Sequence, residues 1–293
     1  MNTRLLFAAS ALPPVEARAI LGLLCSSRRV RQITSFEQTR NRLQQKMKVS
    51  LVRVLKFAKH ETLRKLHRYL YQYRPLHAQA EQPDHPDSNK ILFDREQLRR
   101  DLIEMLQVQL PSVVDEVTRE TLKAVGYRDP WSLPAQDTLN LIAARQNLIS
   151  GVPDEIFADI QREISAGLNA GESIDQLAHR ITAAFNEIVD ARAELIAQTE
   201  TAAAYGFASN ASAQQAGVQF KQWIHSGLPK VPRPDHLAID GLIVPMDEAY
   251  PVGDPPLMYP HDPDGSAEDV INCGCISVPA TEEDYSAQES EGE

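Results

Sequence analysis

The sequence predicts a mainly α protein closing in a small α+β C-terminal domain, with long N-terminal helices, irregular Pro-rich loops and short strands near the C-terminus. Three observations predict it. Apolar residues recur at steps of three and four through most of the first 216 positions, the signature of amphipathic helices. The pattern then switches to alternation at Val218, Phe220, Gln222 and Ile224, which puts one apolar face on a pleated strand. Nine of the 19 prolines fall between Pro229 and Pro263, where a regular backbone cannot persist.

The chain has 293 residues, 43% of them hydrophobic and 6% aromatic, enough for one large core or two moderate ones. No apolar run approaches the roughly 20 residues that cross a bilayer, so no membrane partner is expected. The apolar patch Leu5 to Ala9, followed by Pro13-Pro14, is too short for a signal peptide core. Three cysteines, Cys25, Cys273 and Cys275, make a poor disulfide framework and fit a reducing compartment.

Pro14 sits in the first turn of a predicted helix over 15–29, where a missing N–H costs nothing. A long helix over 35–73 follows, with Leu43, Met47, Leu51, Leu55, Ala58, Leu66 and Leu70 on one stripe. Pro75 ends it. Residues 78–90 form a polar, Pro-containing linker in which His85 is solvated. Asp94 caps a third helix reaching about residue 125, with a break or kink at Leu110-Pro111. Helices opening at Asp137 and Pro153 come next, then a short one over 173–185 and a separate Ala-rich one over 188–216, stopped by Gly217. Short strands are expected at 218–224, 242–244 and 276–278, with an irregular loop over 245–271 that side chains or a partner must hold. The acidic tail after Thr281 shows no apolar pattern and is expected to be disordered. The resulting domains are a basic helical arm at 1–77, a linker at 78–93, a helical region at 94–152, a domain at 153–280 and a tail at 281–293.

Charge is strongly polarised. The first 77 residues hold 16 Lys and Arg against 3 acidic residues, although the whole chain carries a net charge of −10. Arg40, Arg42, Lys46, Lys48, Arg53, Lys56, Lys59, Arg64, Lys65 and Arg68 cover the back of the long helix, as expected of a surface that meets a polyanion or an acidic protein. The plainer alternative packs this basic helix on the chain's own acidic body.

The C-terminal third carries an ordered set of polar motifs. Gln198-Thr199-Glu200-Thr201 is followed by Asn210, Gly217, Lys221-Gln222-Trp223, Arg233-Pro234-Asp235-His236, Asp240-Gly241 and Asn272-Cys273-Gly274-Cys275. Over residues 153–278 this order resembles the phage Mu F-like minor head protein domain, also called the phage head morphogenesis family. Gln198 stands where that family usually has a basic residue, and Gly274 replaces an Arg between the two cysteines. The resemblance implies a non-enzymatic minor head protein of a tailed bacteriophage, bound at the portal vertex and assisting head assembly, DNA packaging or genome delivery. Its partners would be the portal protein, other head proteins and packaged double-stranded DNA. Its place would be the virion, and the host cytoplasm during assembly. A packaged nuclease- or transferase-type effector and a transient DNA-binding assembly chaperone are the alternatives.

Three readings of the polar residues remain open. Glu200, Asn210, Arg233, His236, Asp240 and Asn272 can form a structural network that ties the irregular loop to the Ala-rich helix. No cofactor is expected if Cys273 and Cys275 are small packing residues. Alternatively they bind a structural zinc with His236, and Asp240, Asp254 or His261 supplies a fourth ligand. A Cys–His catalytic pair is the enzymatic version of the same residues.

Overall fold

The computed structural model describes residues 28–73, 88–225 and 233–291. The predicted residues 15–27 of the first helix, Cys25, most of the linker with His85, and residues 226–232 lie outside this set. The helices are α1 (Arg28–Tyr73), α2 (Ser88–Ile91), α3 (Arg95–Ala124), α4 (Ala135–Ile149), α5 (Val152–Asn169), α6 (Ile174–Gln215), α7 (Pro234–Ala238), α8 (Ala267–Val270) and α9 (Glu282–Glu291). Three strands, β1 (Phe220–Ile224), β2 (Ile243–Pro245) and β3 (Ile276–Ala280), complete the described chain. The fold class is the predicted one, mainly α with a small α+β C-terminal part.

Two compact units interleave along the sequence. One comprises Met1–Lys46, Gln109–Leu141 and Gln198–Glu293; the other comprises Met47–Val108 and Ile142–Ala197. Among its described residues the second holds helices and no strand. Met47, Leu51, Leu55 and Leu66 of α1 are buried in it, as are Leu98 and Leu102 of α3 and Ile156 and Ile160 of α5. Phe93, between α2 and α3, stands edge-on to Phe157 at 5.8 Å and to Phe185 at 6.2 Å. Its backbone N–H donates to Thr62 Oγ1 at 3.1 Å, so the turn into α3 is fixed from α1.

Two expected helix breaks are absent. α6 is continuous because Leu177, Ile181, Phe185, Val189 and Ala193, all buried, repeat every four residues through the expected gap at 186–187. Ser173 and Gln176 cap its start reciprocally, Ser173 N–H donating to Gln176 Oε1 and Gln176 N–H to Ser173 Oγ. α3 likewise runs through Pro111. An interior proline costs about 3 kcal/mol; here Leu110, Val113, Val114 and Val117, all buried around it, offset that cost.

In the mixed unit the sheet order is β2-β1-β3, antiparallel throughout, with Trp223 opposite Ser277 and Gln222 opposite Ile243. Trp223, Tyr250, Val252, Leu257, Val270, Cys273 and Cys275 form its core, with Trp223 edge-on to Tyr250 at 5.1 Å. The long loop after β2 is held by its own polar atoms. Tyr250 N–H donates to Leu257 O, Asp262 accepts from Met258 N–H and Asp264 N–H, and Ser266 caps α8. Gly206 of α6 lets this loop approach closely, since a Cβ there would lie 2.5 Å from the Pro260 carbonyl oxygen.

The C-terminal tail, expected to be disordered, instead forms α9. Thr281 and Asp284 make a capping box, with Thr281 N–H and Oγ1–H donating to Asp284 Oδ2 and Asp284 N–H donating to Thr281 Oγ1. Gln288 then pairs with the outer edge of β2, accepting from Ile243 N–H at 2.7 Å and donating to Ile243 O at 3.0 Å. Tyr285 stacks on Phe220 at 4.4 Å. A side-chain amide thus occupies the hydrogen-bonding row that an edge strand would otherwise present to another chain.

Candidate functional site

Strand parity assembles the centre of the mixed unit. Lys221, Trp223 and His225 alternate on the buried face of β1 and its extension, and Cys273, Cys275 and Ser277 alternate on the chain leading through β3. Trp223 pairs with Ser277, and one step further brings His225 to Cys275, Nδ1 to Sγ 3.4 Å. α7 adds His236, whose Nδ1 lies 3.5 Å from Cys273 Sγ and 3.8 Å from Cys275 Sγ. His236, Cys273 and Cys275 are at most 2% exposed, and one ligating atom from each falls within 4.8 Å of the others.

The turn carrying the cysteines is held at three successive carbonyls. Gln198 Nε2 donates to Asn272 O and Cys273 O, both at 3.3 Å. His261 Nε2 lies 2.9 Å from Cys273 O, and Arg40 donates to Gly274 O. Thr199 Oγ1 accepts from Asn272 N–H at 3.2 Å. The Gln198-Thr199 run of α6 and the Asn272–Cys275 motif therefore meet directly. Asn272 (φ 58) and His261 (φ 66) both adopt the left-handed region, a conformation that costs non-glycine residues about 1 kcal/mol or more. That cost is sustained by these bonds.

Electrostatics follow from burial. The Cys275 hydrogen bond, helped by His261 and His236, holds Cys273 well below the usual thiol range against burial, while Cys275 is pushed well above it. Burial pushes the Arg40 guanidinium down from its ordinary range, opposed by Glu37, Tyr205 and the cysteines. Burial also lowers the His225 imidazole, with Asp240 opposing. Lys221, 1% exposed with Nζ donating to Met258 O at 2.8 Å, is pushed down to about 8 by burial, against the pull of Asp262, Asp247 and Glu248.

Of the six residues expected to form one polar network, Arg233, Asp240 and Asn272 make local bonds. Arg233 donates to Ile271 O at 2.8 Å, Asp240 accepts from His225 N–H at 2.8 Å, and Asn272 is held by α6. Glu200 is buried, and Asn210 Oδ1 is a buried oxygen without a hydrogen-bond partner. Among the expected fourth ligands, Asp240 is engaged with the His225 backbone, Asp254 is exposed, and His261 faces the Cys273 carbonyl. His225 was missed by sequence reasoning, although its parity with Lys221 and Trp223 marks it.

The basic stripe of α1 is narrower than its sequence suggests. Arg40 is 3% exposed and is a strut for the cysteine turn, not a surface contact. Arg42 and Lys46 pair with Glu116, and Lys48 pairs with Glu194. Lys59 donates to Asn186 Oδ1, and Lys65 meets Glu61 and Leu92 O. Arg53, Lys56, Arg64 and Arg68 stay exposed, with no ion pair among the described residues, beside the exposed Phe57. Among the described residues no helix is long and apolar enough to cross a membrane.

Residues 158–278 match the family model described as Phage Mu protein F like protein, a span that contains the whole cysteine–histidine centre and the α6 run that supports it. Over 199 residues the chain is 25% identical to a Bacillus subtilis (strain 168) protein described as uncharacterized protein YqbB, covering 65% of this chain. The chain spans about 64% of that relative's length. No solved structure matches.

Proposed function

We propose that this chain, which carries a phage Mu F-like domain over residues 158–278, is a minor head protein of a tailed bacteriophage. In this reading it binds the portal vertex, acts without catalysis, and assists head assembly, DNA packaging or genome delivery. It travels in the virion after passing through the host cytoplasm during assembly. One observation carries the reading: the motifs of the Mu F-like match are in contact in the folded chain, Gln198 and Thr199 holding the Asn272–Cys275 turn. The turn that carries the two cysteines is thereby fixed against the Gln198-Thr199 run, which suits an anchoring component.

The exposed Arg53, Lys56, Arg64 and Arg68 supply the contact surface. They lie three, eight and four residues apart on one helix, so their charges fall on one broad face. Such a face needs no base-specific groups to grip phosphate or an acidic protein rim. The portal protein and other head proteins are its partners, together with packaged double-stranded DNA.

A pull-down of the phage's own portal protein tests this, using the full chain and a variant with all four residues changed to Gln, at two salt concentrations. The full chain should retain the portal, and the variant should lose it at the higher salt. Titration with double-stranded DNA runs in parallel; there the variant should lower the salt slope by about 3–4. Equal retention of portal and DNA by both proteins would remove the stripe from the account, and no portal retention by either would overturn the portal reading.

A further inference from the structure

We propose that His236, Cys273 and Cys275 bind one zinc ion, and that His225 completes its coordination from the Cys275 side. The argument is geometric. In a tetrahedral site with Zn–S of about 2.3 Å and Zn–N of about 2.0 Å, sulfur and nitrogen ligands lie about 3.5 Å apart. The observed Nδ1–Sγ separations are 3.5 Å and 3.8 Å for His236, and 3.4 Å for His225 with Cys275. The ligating atoms of His236, Cys273 and Cys275 all lie within 4.8 Å of one another, whereas His225 approaches only Cys275 and its ring must swing inward to reach the ion.

The chain provides such a site by simple means. Residues two apart on an extended segment face the same way, so Cys273-Gly274-Cys275 presents both sulfurs to one point. The carbonyls of the turn are held by Gln198, His261 and Arg40, which fixes the thiols before any ion arrives. The site is closed, since His225, His236, Cys273 and Cys275 are each 4% exposed or less. Two thiolates balance the charge of the ion, which suits a buried centre.

The surroundings fit a second shell. Carboxylate oxygens of Asp235 and Asp269 lie within 4.8 Å of a ring nitrogen of His236, whose buried Nε2 has no hydrogen-bond partner. A small movement of either carboxylate would orient the imbalanced ring, as carboxylates do for zinc-bound histidines. The ion would then tie α7 to the end of β1 and the turn before β3, which the sheet already pairs.

The test uses the full chain, purified under reducing, chelator-free conditions, with zinc added and the excess removed. Elemental analysis should find about one zinc per chain. Cobalt(II) in its place should give a thiolate-to-metal charge-transfer band and the intense visible bands of tetrahedral coordination. A strong chelator should lower the melting temperature of the unmodified protein, a readout that needs no variant to fold. Cys273→Ser and Cys275→Ser should each weaken binding, and His225→Gln should weaken it at least about tenfold. Less than about a tenth of an equivalent of zinc after loading, or a Cys273–Cys275 disulfide in protein kept reducing, would overturn the proposal. Unchanged affinity in His225→Gln would remove His225 from the ligand set.

Discussion

Gly206→Ala probes how α6 holds the long loop. A Cβ at this position would lie 2.5 Å from Pro260 O and 3.0 Å from Tyr259 Cδ2, about 0.9 Å short of ordinary contact with the oxygen, which begins at 3.4 Å. The obstructing atom is backbone, so it cannot turn aside; the segment bearing Tyr259, Pro260 and His261 must shift. Helix propensity favours Ala by about 1 kcal/mol. Overpacking of a fitted interior costs about 1–3 kcal/mol, and a rigid backbone neighbour puts this site at the upper end. The net loss is then about 1–2 kcal/mol, or a fall of about 3–6 °C in melting temperature. Gly151→Ala is the control, because φ is −80° and nothing lies within 4 Å; it should stay within about 0.5 kcal/mol of the parent. Thermal unfolding of the three proteins, with amide exchange at 257–262, decides it. A Gly206→Ala protein as stable as Gly151→Ala, with unchanged exchange, would refute the close approach.

Thr281→Ala removes the capping box of α9 and should cost about 1 kcal/mol, seen as faster exchange of the Ile243 amide that Gln288 protects. Gln288→Ala should accelerate the same amide while leaving the rest of the sheet protected. Lys221 gives a pH signature. Its folded pKa is lowered to about 8 from 10.5, so the folded state binds fewer protons between those values and stability rises with pH across that window. The unmodified protein should therefore gain on Lys221→Met as pH increases from about 8 to about 10, measured by denaturant unfolding of both proteins. A constant difference would show that Lys221 is not desolvated in the fold. Phe93→Ala should destabilise the helical unit by about 3–5 kcal/mol, because the ring packs on both Phe157 and Phe185.

Much of this was written locally in the sequence. The four-residue repeat from Leu177 to Ala193 carries α6 through the expected gap, and no Gly or Pro falls between those two residues. The capping signal Thr281-x-x-Asp284 marks α9 even though the tail lacks an apolar stripe, because the helix is held by a cap, Tyr285 and Gln288 instead. His225 is legible from strand parity once β1 is paired with the cysteine segment. Arg40 is different. Nothing in its neighbourhood distinguishes it from Arg42 or Lys46, and its partner Gly274 lies 234 residues away. Pro111 is similar, for its tolerance depends on apolar packing around α3 that local propensity does not contain.

The proposed role joins an anchoring Mu F-like domain to a cationic helix face, and it requires the protein to stay with the particle. Quantitative mass spectrometry of purified, DNA-filled particles of the encoding phage measures this directly. The chain should be recovered in a few copies, in constant ratio to the portal protein. Its absence from such particles, with the portal present and the chain abundant in the lysate, would contradict the account.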